Sequence, residues 1–332
     1  MTGFVQARSD GRITVACYLH DIPGAREIAR KGFVVPPGEW RRAAHRCSDA
    51  VYAQLAGRPG SFDTRIAYVA ESGSKNARVK RIALMDSDGT SHRYLTAGDM
   101  TVLTPRLSPG GDRLAYVSFA GGQPQVHLVD LESNEDRPLL PGNAMSFAPR
   151  FSADGKRVLL AMAVAGNTDI YAANADGTAL QRLTSATGVD TSPGFSPDGT
   201  KIVFESDRSG TEQLYVMNAD GSEQRRLTFG GARYASPAWS PDGELIAFTR
   251  NAGDGLRIGV IGASGTGERI LTDGPLDEGP SWAASSREIL FQRSDAAGRT
   301  GLNTVSVDGG TARRIVTPQD ASDPDWSTGG AK

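Results

Sequence analysis

The chain repeats one short phrase, and its clearest copy is Ser236-Pro237-Ala238-Trp239-Ser240-Pro241-Asp242-Gly243. Related phrases occur at residues 104–108, 148–152, 192–196, 279–283 and 323–327. Successive prolines of these copies are 44, 44, 44, 43 and 44 residues apart. A period in the low forties, with no helical pattern inside it, is typical of β-propeller blades. The sequence therefore predicts a mainly β protein built as a propeller.

One period contains four predicted strands. The short strand at 237–240 runs into Pro241-Asp242-Gly243, which forms a tight turn because Pro presets φ and Gly accepts a positive φ. A second strand follows at 244–249, a third at 256–261 and an outer strand at 268–272. One register position carries large residues that we expect to wedge between blades, with ligand stacking as the alternative: Leu107, Phe151, Phe195, Trp239, Trp282 and Trp326.

The register of the repeat predicts how the propeller closes. The first copy of the second strand, at 65–69, has no Pro-x-Trp-Ser strand before it. The last Pro-x-Trp-Ser, at 324–327, has no second strand after it. The C-terminal strand is therefore expected to complete the first blade, which removes the open sheet edges. This predicts six blades over residues 62–328 and a tail at 329–332.

Residues 1–61 lack the repeat and predict a partial α/β domain of two strands and a helix. Residues 12–19 alternate between apolar and polar side chains, which indicates a half-buried strand with 27–35 as its hairpin partner. A helix is predicted at 39–55, ended by Gly57, with an apolar face of Trp40, Ala44, Cys47, Val51 and Leu55. These elements bury too little surface for an independent domain, so we interpret the segment as the second half of one.

Composition and charge argue against several function classes. With 36 basic and 38 acidic residues, the chain lacks the charge excess typical of proteins that bind nucleic acid or anionic membranes. Cys17 and Cys47 are interpreted as small buried hydrophobes, with a disulfide as the alternative in an exported protein. The four histidines lack metal-ligand spacing, and the chain has no G-x-S-x-G motif, membrane-length apolar run or signal-peptide pattern. We expect no catalytic residue, no metal and no cofactor, and a Ca²⁺ ion among loop carboxylates stays an open alternative.

The loops that lead from each outer strand to the next inner strand differ between copies. Strand order places these loops together on one face of a propeller, around the mouth of its channel. Apolar anchors beside charged groups suit the capture of a peptide or protein loop, and ordinary exposed loops are the alternative. The predicted partner-binding residues are Met100, Thr101, Met145, Phe147, Asp190, Thr191, Arg233, Tyr234, Asp277, Glu278 and Asp320.

The junction between the helix and the first repeat carries a family resemblance. Phe62-Asp63-Thr64-Arg65-Ile66-Ala67-Tyr68-Val69 follows a helix that contains Arg41-Arg42-Ala43-Ala44-His45-Arg46. This junction resembles the TolB family, the periplasmic propeller proteins of the Tol-Pal system. The phrases at 214–221 and 236–243 are similar to the repeats of that family. The resemblance covers essentially the whole chain.

The resemblance implies a non-enzymatic, monomeric adaptor in the periplasm. Family members bind the lipoprotein Pal through the propeller, associate with the outer membrane through it, and support membrane integrity and constriction during division. Their extreme N-terminal segment contacts TolA. The sequence has no counterpart of that segment, of a signal peptide or of the first half of the N-terminal domain. The resemblance therefore implies Pal binding more strongly than TolA binding.

Two enzyme classes are the alternatives to an adaptor. Propellers of prolyl-oligopeptidase-like peptidases contain similar blades, but those enzymes need a further α/β-hydrolase domain, and only four residues follow Thr328. A six-bladed, metal-dependent hydrolase or dehydrogenase would place several metal ligands in the channel. The repeat spacing does not require such a ligand set, so the sequence favours a binding protein.

Overall fold

The computed structural model describes residues 1–74 and 77–329, and its regular structure is mainly β-strand. The chain divides into two compact units, Met1–Thr64 and Arg65–Lys332. Among the described residues there is one α-helix, and it belongs to the first unit. Residues 330–332 of the predicted tail lie outside the described residues.

The first unit is a three-stranded antiparallel sheet with one helix. The strands β1 (Thr2–Ala7), β2 (Ile13–Asp21) and β3 (Arg26–Val35) are arranged in that order. A 3-10 turn at Pro37–Glu39 leads into α1 (Trp40–Ala56). The prediction of two strands is wrong, because β1 adds a third. Every residue of β1 is exposed, so it lacks the apolar alternation that reveals β2.

The helix α1 buries a shorter face than its sequence predicts. It ends as expected at Gly57, whose φ of 67° lies in the left-handed region. Cys47 is buried, but Trp40 and Leu55 are 52% and 68% exposed, so the predicted face is wrong at both ends. The periodicity of a helix shows which side is apolar, but contact with β2 and β3 sets how much of that side is covered. The core of the unit consists of Val15, Cys17, Val35, Ala43 and Cys47.

The two cysteines are buried and free, which confirms that they act as small hydrophobes. They lie in the core between the sheet and α1. Burial, with a smaller contribution from the Cys17 thiol, raises the pKa of Cys47 to about 12. Because the thiolate is the reactive form, the Cys47 thiol is unreactive at neutral pH.

The junction segment that resembles the TolB family is held by α1. Both carboxylate oxygens of Asp49 accept backbone N–H groups, from Phe62 and Asp63, each at 2.9 Å. Asp63 in turn lies 3.4 Å from the Arg42 guanidinium and 3.0 Å from that of Arg46. These bonds fix the segment at the end of the helix.

The second unit consists of antiparallel sheets in the order inner, second, third and outer strand, and a parallel bridge between Leu256 and Leu276 joins two of them. The inner strands are Val102–Leu107, Met145–Phe151, Asp190–Phe195, Arg233–Trp239, Leu276–Trp282 and Asp320–Trp326. The second strands are Arg65–Ser72, Arg113–Ser118, Arg157–Val164, Lys201–Ser206, Leu245–Asn251 and Glu288–Ser294. The third strands are Val79–Asp86, Gln125–Asp130, Asn167–Asn174, Gln213–Asn218, Leu256–Gly262 and Thr300–Ser306. The outer strands are Arg93–Tyr94, Asp136–Pro138, Gln181–Arg182, Arg225–Arg226, Arg269–Ile270 and Arg313–Arg314.

The last strand of the chain pairs with the first strand of this unit. Asp320–Trp326 lies antiparallel to Arg65–Ser72, with Trp326 opposite Ile66. Beyond the strand, the backbone N–H of Ser327 donates to the Arg65 carbonyl at 2.9 Å, and the Ser327 hydroxyl accepts the Arg65 N–H at 2.9 Å. This pairing, which the repeat register predicts, joins residues that are about 260 positions apart.

Every inner strand contains a β-bulge just before its proline. The register of each inner strand shifts there, and the residue before the proline has a φ between 46° and 65°. Five of the six residues are not glycine, so each stores backbone strain of about 1–3 kcal/mol. Side chains of other strands hold the bulges: the N–H of Ser236 donates to Glu205, and that of Asp323 donates to Gln292. The bulge residues are Thr104, Ala148, Ser192, Ser236, Gly279 and Asp323.

The large residues after the repeat prolines pack between neighbouring sheets. Trp326 lies in a cluster with Ile66 of its own sheet and Leu290 of the preceding one. Trp282 packs against Ala247 of the preceding sheet, and its indole N–H donates to the Ala238 carbonyl at 2.9 Å. Phe195 and Trp239 likewise lie against the core clusters of the sheets before them. The prediction that these residues are wedges is confirmed.

Removal of residues 320–332 deletes the strand that pairs with Arg65–Ser72. We expect a loss of at least about 3–5 kcal/mol in the free energy of unfolding, because burial of Trp326 alone accounts for that much. Urea unfolding followed by circular dichroism measures the change. Removal of residues 330–332 is the matched control and should leave the midpoint unchanged. Equal midpoints for the two truncations would show that the pairing contributes nothing to stability.

Candidate functional site

The inner strands run between two ends of the second unit. We call the end where they begin the loop face. The end where they enter the hairpin turns that lead to the second strands is the hairpin face. Along a strand, successive side chains alternate in direction. The residue three positions before each repeat proline is buried in all six strands, whereas the residue four positions before it is exposed or half-buried. This alternation divides the predicted binding residues into two groups.

Two predicted acidic contacts are buried, and their carboxylates are used inside the sheets. Asp190 accepts a hydrogen bond from Arg208 at 2.6 Å, and Asp277 accepts two from Arg293 at 2.6 and 2.8 Å. Asp190 and Asp277 are 0% exposed, so a partner cannot reach them at this surface. The carboxylate of Asp277 raises the pKa of Arg293 because its hydrogen bond and charge favour the cation. The expectation that these two residues contact a partner is therefore corrected: they anchor the inner strands.

Tyr234 occupies the same position and is also buried. Its hydroxyl donates to the Glu268 carboxylate at 2.9–3.0 Å, and its ring lies edge-on to Phe248 at 5.2 Å. Burial and the bond to Glu268 raise the pKa of this phenol. Tyr234 thus holds the inner strand to its sheet and is removed from the set of surface contacts.

The other predicted residues stay at the loop face, either exposed or half-buried. Arg233 lies 3.4 Å from Glu212, and Asp320 lies 3.2 Å from Arg78. The remaining members of this loop-face set are Met100, Thr101, Met145, Phe147, Thr191 and Glu278. Apolar and charged side chains therefore alternate around the start of the inner strands.

Two exposed apolar residues of the loop face are absent from the predicted set of partner-binding residues. Val189 and Leu276 are 46% and 39% exposed, and both lie four positions before a repeat proline, as Met145 does. Alignment of the copies on their prolines, combined with strand alternation, identifies this position. Chemical type within the loop favours Asp190, which is buried, over its exposed neighbour Val189.

Buried and half-buried acids also lie on the loop-face side of the repeat prolines. Glu205 accepts the N–H of Ser236 at 3.2 Å, and burial raises the pKa of its carboxyl to about 7. Glu278 accepts a hydrogen bond from Gln292 at 3.4 Å. Burial raises its pKa, and the charge of Asp323 adds to the effect. Glu205 and Glu278 therefore take up a proton more readily than exposed carboxyl groups do.

A cavity of about 420 Å³ opens at the hairpin face, and it contains none of the predicted partner-binding residues. Its lining comes from the ends of the inner strands and the turns that follow them. Arg106, Arg150 and Asp325 lie in it at the same repeat position, directly after the proline. The positions are visible in the sequence, but only the folded arrangement of the strands brings residues from distant copies to one cavity.

Neither a metal cluster nor a spanning helix was found in the part of the chain that the structure describes. Residues 1–74 and 77–329 contain no group of three or more His, Cys, Asp or Glu side chains arranged to hold a metal ion. Within the same residues, no helix has the length and apolar character needed to cross a membrane. The buried carboxylates of Asp190 and Asp277 instead contact arginines.

Comparison with known protein families shows to which family the chain belongs. A family model described as the TolB beta propeller domain matches residues 52–329. The chain belongs to the TolB β-propeller family. The resemblance of its junction and repeats to this family is confirmed, and so is the propeller fold of the second unit.

Curated relatives with about 50% sequence identity match a part of the chain. The Tol-Pal system protein TolB of Zymomonas mobilis is 52% identical over 126 residues, which are 38% of this chain and 28% of that protein. The Tol-Pal system protein TolB 1 of Novosphingobium aromaticivorans is 50% identical over 126 residues with the same coverage. The match thus spans 28% of the length of these curated relatives.

One solved structure extends the match to nearly all of the chain. The crystal structure of TolB from Acinetobacter baumannii has a TM-score of 0.86 and 30% identity, and the match covers 99% of this chain and 82% of that one. A putative TolB from Agrobacterium tumefaciens has a TM-score of 0.64 at 20% identity, over 78% of this chain and 91% of that one. The second likeness shows the fold alone.

Substitution of Glu205 by Gln should change how stability depends on pH. The ordinary pKa of 4.5 applies when the chain is unfolded, and the folded value is about 7. The folded protein therefore binds the proton more tightly, and stability falls as pH rises from about 4.5 to about 7. Glu205→Gln should raise the free energy of unfolding by about 1–3 kcal/mol at pH 8 and leave it unchanged at pH 4.

Urea unfolding at pH 4 and pH 8 measures this effect. The exposed Glu244 offers a matched control, because Glu244→Gln removes the same charge without changing a buried group. A Glu205→Gln protein with the pH dependence of the parent would contradict the assignment.

Substitution of Asp277 by Asn tests how much the buried ion pair between Asp277 and Arg293 contributes to stability. The change leaves the Arg293 guanidinium without its carboxylate, so we expect a loss of about 3–5 kcal/mol in the free energy of unfolding. Asp273 lies 3.9 Å from the same arginine but is fully exposed, so Asp273→Asn should cost less than about 1 kcal/mol. Thermal unfolding of both variants measures the difference, and equal losses would argue against a buried role for Asp277.

Proposed function

We propose that this protein is a non-enzymatic adaptor of the Tol-Pal system in the periplasm. It binds the lipoprotein Pal through its propeller and so associates with the outer membrane, where it supports membrane integrity and invagination during division. The observation that carries the proposal is the family match over residues 52–329. The names of the relatives from Zymomonas mobilis and Novosphingobium aromaticivorans, Tol-Pal system proteins, support it.

The proposed propeller has six blades over residues 62–328 and is closed by the C-terminal strand. The pairing of Asp320–Trp326 with Arg65–Ser72 supports closure, because it gives the first and last parts of the repeat a common sheet. The outer edge strands are only two or three residues long, too short for a second copy to extend readily, so we propose that the protein acts as a monomer. Residues 1–61 form the C-terminal half of a TolB-like N-terminal domain.

The proposed Pal contact is the loop face. Val189 and Leu276 expose apolar side chains there, and Met145 lies at the same repeat position. Arg233 and Asp320 add one positive and one negative charge beside them. Apolar anchors with charged neighbours are the usual composition of a protein–protein contact. This surface is supported by three buried side chains that hold the inner strands and do not touch the partner: Asp190, Tyr234 and Asp277.

A calorimetric titration with lipid-free Pal tests the proposal. The parent chain should bind with a Kd on the order of micromolar or tighter. Leu276→Glu should weaken binding by about tenfold or more, because it places a charge in an apolar contact. Leu180→Glu is the matched control: Leu180 is 45% exposed but lies beside the outer strand Gln181–Arg182.

The possible outcomes distinguish an error in the proposed partner from an error in the proposed contact surface. If the parent chain fails to bind Pal at 100 micromolar (a concentration about two orders above the expected Kd), the Tol-Pal adaptor assignment is wrong. If the parent binds and both variants bind equally well, Pal contacts a different face. Unchanged thermal unfolding of the variants shows that a loss of binding is local.

A further inference from the structure

The hairpin face contains a cavity that the proposed Pal contact does not use. It is lined by Phe151, Phe195 and Trp239, all half-buried, and by prolines of the repeat turns. The volume of about 420 Å³ is within the range of small-ligand sites and accommodates one or two amino-acid side chains. Because the inner strands run from one face to the other, this cavity and the loop face lie at opposite ends of the same strands.

The walls of the cavity are held in place from behind. The guanidinium of Arg113 lies over the ring of Phe151 at 5.7 Å, and that of Arg157 lies over Phe195 at 5.5 Å. Each arginine belongs to a second strand of the preceding sheet, so neighbouring sheets clamp each ring. A rigid aromatic wall reduces the entropy that a ligand must overcome on binding.

The charges in the cavity do not balance. Asp325 accepts the N–H of Leu107 at 2.8 Å and lies 3.1 Å from the Arg150 guanidinium. The Ser281 hydroxyl also donates to it, at 3.3 Å. Both oxygens of this buried carboxylate are therefore already engaged. The cavity holds one carboxylate and two guanidinium groups, those of Arg106 and Arg150, which leaves an excess of one positive charge.

Arg106 is the cation without an acidic partner. Its guanidinium donates to the carbonyl of Pro105 at 2.7 Å, and within the described residues no carboxylate lies within ion-pair distance of it. Its charge also acts on Arg150: burial first, and the neighbouring Arg106 second, lower the pKa of Arg150 to about 9. An anion placed beside Arg106 would relieve this repulsion.

We propose that the hairpin-face cavity binds the carboxylate group of a peptide, with Arg106 as its main receptor and the aromatic rings as the walls around the adjoining residue. The planar guanidinium matches a carboxylate in a two-bond geometry. One carboxylate neutralises the excess charge, whereas a phosphate dianion would reverse it. The carboxylate can belong to a chain end or to an acidic side chain, since the receptor chemistry is the same.

Tryptophan fluorescence provides the readout, because Trp239, Trp282 and Trp326 line the cavity. Three peptides are titrated: acetyl-trialanine with a free C-terminus, an amidated peptide with one central Asp, and its amidated Asn counterpart. Inorganic phosphate is the fourth ligand. We expect saturable changes with at least one acidic peptide, with a Kd on the order of millimolar or tighter, and at least tenfold weaker binding of the Asn peptide.

Variants of Arg106 test its role as the receptor. Arg106→Gln should weaken binding of the acidic peptide by about tenfold or more, and Arg106→Lys should give an intermediate loss because charge remains without the planar fork. Arg225→Gln removes an exposed arginine of an outer strand and should change the Kd less than twofold. Unchanged Pal binding by Arg106→Gln would separate this site from the loop face and show that the variant is folded.

Three results would overturn the proposal. The first is saturable binding of the Asp and Asn peptides with equal Kd, which would make the cavity merely apolar, or no saturable binding of any of the three peptides. The second is undiminished binding by Arg106→Gln when it retains the thermal unfolding of the parent. The third is saturable binding of phosphate with no response to either carboxylate peptide, which would identify a general anion site.

Discussion

Each sheet of the second unit depends on a large side chain supplied by the inner strand of the next sheet. A twisted β-sheet with apolar residues on both faces is stable only when neighbouring layers cover both faces. Trp282 and Trp326 provide that cover by packing into the clusters of the preceding sheets. The same requirement explains the pairing of Asp320–Trp326 with Arg65–Ser72, because without it two sheets would expose a face. The stability of the sheets and the pairing of the last strand with the first therefore have one cause.

The bulge before each proline divides the inner strand into two chemically different parts. On its loop-face side, Glu205 and Glu278 are partly buried carboxyls whose pKa values are raised. On its hairpin-face side, Arg106 and Arg150 outnumber the single Asp325. The loop-face side thus holds partly buried acids, and the hairpin-face cavity holds an excess of one guanidinium group. A chain with almost no net charge can still contain a cavity with unbalanced charge, because the fold brings charged residues of distant copies together.

Sequence reasoning succeeded where the signal was local or periodic. Pro241-Asp242-Gly243 predicts a turn from backbone preferences alone, and the register of Trp326 predicts its wedge position. Sequence reasoning failed where residues far away in the chain determine whether a side chain is buried. Asp277 resembles an exposed loop acid until Arg293 is seen beside it, and β1 has no apolar pattern because no residue of it is buried.

The amino-acid sequence alone established the propeller repeat, its register and the family, because turn residues and apolar spacing act within a few residues and recur at every period. The tertiary structure alone decided which variable residues reach the surface. Val189 and Asp190 are adjacent in the chain, yet one is exposed and the other is buried against Arg208. Likewise Arg106, Arg150 and Asp325 share a repeat position, but only the assembled strands bring their charges into one cavity. Burial and charge balance arise from contacts between distant segments, and these contacts exist only in the folded chain.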